Sequence, residues 1–254
     1  MLIDSHAHLY DKRFDVDREK IIDYMERDGL EMILHPGADV TSSVKAVNNA
    51  QKHKNIYAAV GVHPHNAKDM DEDSIEILRS LASKDKVIGI GEIGLDYHYD
   101  NSPRDIQKKW FVEQIRLAKE LNLPFIVHDR EAHGDILEII KEEKYEGMKG
   151  IIHCYSGSYE MAEEFIKLGF LISIAGPVTF KNARRVKEVV KKIPLQHLLI
   201  ETDSPYLAPE PKRGRRNEPA YVRYVASEIA EIKDITFNEV AEATSENFKK
   251  LFNF

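Results

Sequence analysis

Apolar runs recur along this chain at intervals of about 28 residues, the span of one strand followed by one helix. They fall near 2–4, 31–35, 56–62, 86–91, 123–127, 149–152, 169–174 and 197–202. The segments between them carry helical periodicity, over 17–28, 40–53, 72–83, 104–122, 132–145, 159–168, 180–192 and 217–232, with a last helix over 236–250. Eight strand–helix units in succession favour a closed (β/α)8 TIM barrel, a fold of ~250 residues, over an open doubly wound sheet. The chain has 254. Asp28-Gly29 and Gly169 read as helix stops, and Ser102-Pro103 as a helix start. No Pro/Gly/Ser-rich linker interrupts the pattern, so residues 1–254 are expected to form one domain.

Bulk properties narrow the class further. Hydrophobic residues make up 43% and charged residues 31%, and no apolar stretch approaches the ~18 residues of a membrane helix. The net charge of −7 argues against a protein that coats nucleic acid with its whole surface, while leaving local capture of a phosphate open. Cys154 is the only cysteine, so no internal disulfide forms. With no signal peptide read at the N-terminus, a cytoplasmic location is expected.

In a parallel barrel every strand C-terminus meets on one face. The runs here end in metal-ligating side chains. His6 and His8 are spaced i, i+2, so both face one side of the first strand. Glu92 follows the fourth run among Gly89, Gly91 and Gly94, which leave room for a bulky centre. His128 and His153 end the fifth and sixth runs, and Asp203 ends the eighth. Four imidazoles and two carboxylates exceed the needs of one tetrahedral ion and suit two divalent ions with Glu92 bridging. Mixed nitrogen and oxygen ligation admits Mg, Mn, Fe or Zn. Hydrolysis is the economical chemistry, with water acidified by the metal as nucleophile and Asp203 taking its proton.

The motifs Asp4-Ser-His-Ala-His8, Gly61-Val-His-Pro-His65, Gly91-Glu-Ile-Gly-Leu-Asp-Tyr97 and Val127-His-Asp-Arg130 are similar to those of the TatD family of metal-dependent deoxyribonucleases. So are Ile152-His-Cys-Tyr-Ser-Gly157, Glu201-Thr-Asp-Ser-Pro-Tyr-Leu207 and Arg213-Gly-Arg-Arg-Asn-Glu-Pro219. The resemblance runs end to end. It implies a TIM barrel of the amidohydrolase-like type, two divalent ions (Mg, Mn or Zn), and hydrolysis of DNA phosphodiesters from 3′ ends, on single-stranded or frayed substrate. It also implies a role for His63 near the scissile phosphate, and a weaker one for His65. Glu201, two residues before Asp203, is assigned to orienting a ligand. Arg130, Arg213 and Arg216 are assigned to substrate phosphate, with Lys181, Arg184 and Arg185 as a supporting basic site. Tyr97, Tyr99, Tyr155 and Tyr206 fall near strand ends, where bases could stack.

Other residues carry bland expectations. Cys154 should point away from His153 by strand alternation, which disfavours a Cys–His nucleophile. His35 ends the second run as a departure from the family pattern that could alter the mouth but hardly the metals. His98 is expected at the surface, and His53, His133 and His197 are incidental. DNA ends are the expected partner, with no membrane, no obligate protein partner and a monomeric state. The alternatives are hydrolysis of a small ester, amide or phosphoester, and a metal-stabilised binding protein without turnover.

Overall fold

The structure, a computed structural model, describes residues 1–254. Its strands are β1 (Leu2–Asp4), β2 (Leu30–Pro36), β3 (Ile56–Val60), β4 (Val87–Asp96), β5 (Phe125–Arg130), β6 (Gly150–Ile152), β7 (Phe170–Ile174) and β8 (Leu198–Ile200). They form one parallel sheet in chain order. The ends of that sheet join beyond β1 and β8: Ser5 N donates to Ile200 O at 3.1 Å, and Asp203 N to His6 O at 2.9 Å. That closure makes the sheet a (β/α)8 barrel and removes the open-sheet alternative.

The intervening helices are α1 (Arg18–Tyr24), α2 (Val40–Lys52), α3 (Glu72–Ala82), α4 (Arg104–Leu121), α5 (His133–Glu142), α6 (Tyr159–Lys167), α7 (Arg184–Lys192) and α8 (Val222–Lys233). A ninth, α9 (Phe237–Phe252), follows. Capping boxes start three of them, through Asp39/Ser42, Asp71/Ser74 and Thr236/Glu239. α8 begins five residues later than its periodicity suggests, because Asn217 lies in the loop before it and Pro219–Tyr221 form a 3-10 turn that leads into it. The Asn217 side chain is committed there, donating to Thr202 O and Tyr206 O.

Strand alternation splits the core in two. Leu2, Ile33, Val127 and Ile152 face the helices in the large outer cluster. Ile3, Leu34, Ala59, Ile126, Ile151 and Leu199 fill the barrel interior, where Phe248 and Leu251 of α9 pack on them. α9 seals the N-terminal end: Ser245 donates to Met1 O and Lys149 Nζ to Leu251 O. Only the C-terminal end is left open for chemistry.

β4 runs past Glu92 to Asp96, rather than stopping near residue 91. Its register against β5 shifts between Ile90 and Ile93, then resumes with Gly94 opposite His128. Gly94 has φ +141°, and a Cβ there would lie 2.0 Å from the His128 carbonyl oxygen. Glycine at 94 therefore lets β5 approach closely enough to bring His128 beside Glu92.

Candidate metal centre

The six expected ligands converge at the open end of the barrel. Glu92 lies at the centre, buried, with its two oxygens facing different histidines. Oε2 is 3.3 Å from His6 Nε2 and 3.6 Å from His8 Nε2. Oε1 is 2.7 Å from His153 Nε2, 2.8 Å from His128 Nδ1 and 3.6 Å from His63 Nε2. Asp203 completes the first group, its Oδ1 3.3 Å from His8 Nε2 and 3.9 Å from His6 Nε2. Asp203 has φ +55° just beyond β8, a left-handed turn fixed by its N–H bond to His6 O.

The far side of three of the four imidazoles is held as well, while His6 Nδ1 is buried without a partner. His128 Nε2 is 3.1 Å from Asp96 Oδ2, and His153 Nδ1 is 3.2 Å from Glu201 Oε1. His8 Nδ1 is 2.9 Å from the Tyr10 hydroxyl. Such partners fix the orientation and basicity of ligating histidines. Glu201, expected to orient a ligand, lies beside His153. Asp96 and Tyr10 were missed, although Asp96 carried a signal: it lies at i+4 from Glu92 within the Gly91–Tyr97 motif.

These groups hold charge in a low-dielectric place. Burial pushes the Glu92 carboxyl up, but His153, His63 and His6 outweigh it and hold it well below its ordinary value. Asp203 follows the same pattern, burial opposed by the bond from His8, and ends lowered. Burial works to lower His153, yet Glu92 and Glu201 leave it well above its ordinary value. No lysine or arginine pairs with Glu92, Asp203 or Glu201. Buried carboxylates need compensating positive charge. Lone-pair atoms crowd here, with His6 Nε2 and His8 Nε2 only 3.2 Å apart. The donor set therefore fits divalent cations, and groupings such as His6/His8/Asp203 and His63/Glu92/His128 lie within ligation range.

The TatD-related DNase family model matches residues 3–253. The chain belongs to the TatD family. It is 50% identical over 252 residues to the metal-dependent hydrolase YabD of Bacillus subtilis, covering 99% of each chain. The crystal structure of the TatD homologue YjjV from Escherichia coli superposes with a TM-score of 0.94 at 30% identity, over 100% of this chain and 98% of that one. A TatD-family hydrolase from Entamoeba histolytica gives 0.86 at 26% identity, covering 99% and 97%. This TatD protein is thus a member of a family of metal-dependent hydrolases.

Other expected residues divide. His63, Arg130 and His65 line the cavity of about 650 Å3 above the centre. Arg213 and Arg216 are not brought there. Arg216 forms 2.7 Å bonds to both Asp17 oxygens, a 3.1 Å bond to Glu218 and another to Arg13 O, so its fork is consumed within the protein. Arg213 lies over the Phe180 ring and 3.6 Å from Glu210. Of the tyrosines, Tyr97 donates to Asp135 and Tyr155 to Ser158 O, whereas Tyr99 and Tyr206 stand exposed at the mouth.

Cys154 corrects the alternation argument. It lies beyond the end of β6 at φ +44° and lines the same cavity as His153. Burial pushes its thiol well above the ordinary range, so it remains a poor nucleophile. His35 is closer to the centre than expected. Fully buried, it donates from Nδ1 to Ala7 O at 2.8 Å, between His6 and His8. His98 pairs at the surface with Glu131, as expected.

Proposed function

We propose that this TatD-family protein hydrolyses DNA phosphodiesters as a 3′–5′ exonuclease on single-stranded or frayed ends, with two divalent ions (Mg, Mn or Zn) that His6, His8, Glu92, His128, His153 and Asp203 would hold. The division of the Glu92 oxygens between His6/His8 and His128/His153 carries the two-ion reading. The description of the matching family supports DNA as substrate. Tyr99 and Tyr206, 60% and 46% exposed beyond opposite strands β4 and β8, supply stacking surfaces on both sides of the mouth.

Ions held by His6, His8, Glu92 and Asp203, and by Glu92, His128 and His153, would supply Lewis acidity and acidify water. Asp203, ionised and at the cavity wall, accepts the proton of the attacking water. His63 accepts the His65 N–H at Nδ1, 3.1 Å away, so its own proton sits on Nε2. Burial holds His63 well below its ordinary pKa, and it stays neutral. Its Nε2–H faces the centre and donates to a phosphoryl oxygen. Arg130 at the rim offsets the charge of the incoming phosphate.

The test is digestion of end-labelled single-stranded DNA by metal-stripped protein resupplied with Mg, Mn, Zn or Co, beside Asp203→Asn. Stepwise shortening from the 3′ end, lost in the variant, is expected. An intact strand with every ion, from protein that still hydrolyses a small ester, would refute the nuclease reading.

A further inference from the structure

A second cavity of about 340 Å3 opens beside the first and shares Arg130, Cys154, Ser156 and Leu207 with it. The two meet at the segment that follows the expected ligand His153. Aromatic and aliphatic side chains, among them Tyr155, Val178 and Phe180, form its walls, and Arg130, Arg184 and Arg185 stand around it. Its volume suits one small planar group.

The arginines are the informative part. Most guanidiniums in this acidic chain are paired: Arg13, Arg18, Arg27, Arg79, Arg104, Arg116, Arg213 and Arg216 each have a carboxylate within ion-pair distance. Arg130, Arg184, Arg185, Arg215 and Arg223 have none, and the first three of these line this one cavity. Arg184 and Arg185 also begin α7 with no acidic residue in its first turn, so their charge opposes the helix dipole. Packing alone gives no reason to leave three unneutralised guanidiniums together beside a reaction centre. An apolar slot edged by free guanidiniums matches a base and sugar bearing a phosphate.

We propose that this side cavity is a nucleotide subsite, holding the nucleotide next to the scissile bond and gripping its uncleaved phosphate through Arg184 and Arg185, with Arg130 at the junction of the two cavities. The assignment rests on the phosphodiesterase reading above and adds where the neighbouring unit of the strand is held.

Bis(p-nitrophenyl) phosphate has one phosphate and reports the metal centre; a thymidine trinucleotide also reaches the side cavity. The trinucleotide Ki against hydrolysis of the small diester should rise about tenfold in Arg184→Ala/Arg185→Ala, well beyond any change in the small diester's own KM. Its log Ki against log salt should flatten by about 0.7 for each phosphate the variant no longer neutralises. Arg215→Ala/Arg223→Ala, which removes equally unpaired charge elsewhere, should leave that slope in place. Equal effects of the two double variants, an unchanged slope, or no inhibition by the trinucleotide would overturn the subsite. If the trinucleotide inhibits in this Arg184/Arg185-dependent way yet stays whole by chromatography, the subsite stands and the nuclease reading falls.

Discussion

Acid should weaken this fold through His35, by an amount that follows from where its ring sits. The side chain is fully buried; its Nδ1–H donates to Ala7 O at 2.8 Å, and its Nε2 lies 3.3 Å from the Asn49 amide nitrogen as acceptor. The bond accepted at Nε2 requires the neutral ring, whereas the one donated to Ala7 O does not, so burial is what keeps the proton off. Burial lowers its pKa from 6.5 to about 3. The unfolded chain therefore takes up a proton near pH 6.5 that the folded chain refuses until about pH 3. Stability is intact above 6.5 and falls as pH drops between the two values. From 6.5 to about pH 5 the loss is about 1.5 units at about 1.4 kcal/mol each, or about 2 kcal/mol. His35→Asn keeps a donor for Ala7 O but cannot titrate, although it loses ring packing against Tyr10 at all pH values. Urea unfolding of both proteins in chelator, at about pH 7.5 and about pH 5, separates the two effects. The gap favouring the wild type at the higher pH should shrink by about 2 kcal/mol at the lower one. A gap that does not move with pH would refute the neutral, buried assignment of His35.

Three further outcomes follow from the centre and its surroundings. Asp96→Asn, which weakens the support of His128 Nε2, should lower divalent-metal affinity about 10- to 100-fold in a chelator competition titration. His63→Ala should lower kcat by about 100-fold or more with bound metal unchanged by elemental analysis; parallel loss of metal would make it a ligand instead. Arg216→Ala should cost about 1–2 kcal/mol of stability through its lost bonds to Asp17 and Glu218, seen as a fall in Tm of a few degrees, with no change in the salt dependence of oligonucleotide hydrolysis.

The barrel, and the convergence of the six candidate side chains at its open end, were legible because both depend on periodicity. A side chain placed where an apolar run ends goes to the C-terminal face in this fold, whatever its partners. His6, His8, Glu92, His128, His153 and Asp203 could all be picked out in that way. What was not legible depends on pairs. Arg216 looked free in sequence because Asp17, which consumes its fork, lies 199 positions away. Cys154 was misplaced because alternation holds only within a strand, and β6 stops at Ile152. Glu92 appeared to end its strand, since nothing in the composition of β4 reveals that Gly94 allows pairing with β5 to resume. His35 passed as a departure at the mouth because its acceptor is a backbone carbonyl, invisible to any reading of side-chain types.

The hydrogen-bond partners of these histidines tie together candidate ligands spread over many strands. Asp96 at the end of β4 holds His128 on β5; Glu201 after β8 reaches across β7 to His153; Asp4 at the end of β1 accepts from the Thr202 N–H and hydroxyl, beside Asp203. Groups at the ends of β1, β4 and β8 thus each support a candidate-ligand region carried by another strand. A single strand slipping in register would misplace both its own donor and the one it orients, so sheet pairing and donor geometry are fixed together. Buried carboxylates in such a ring repel one another and cost stability by themselves. Bound cations would relieve that cost in the folded state alone. Metal should accordingly raise the unfolding temperature of the native chain and much less that of Glu92→Gln, which keeps the shape of the central side chain but lacks its charge. Equal stabilisation of both by the same ion would place the binding site somewhere other than around Glu92.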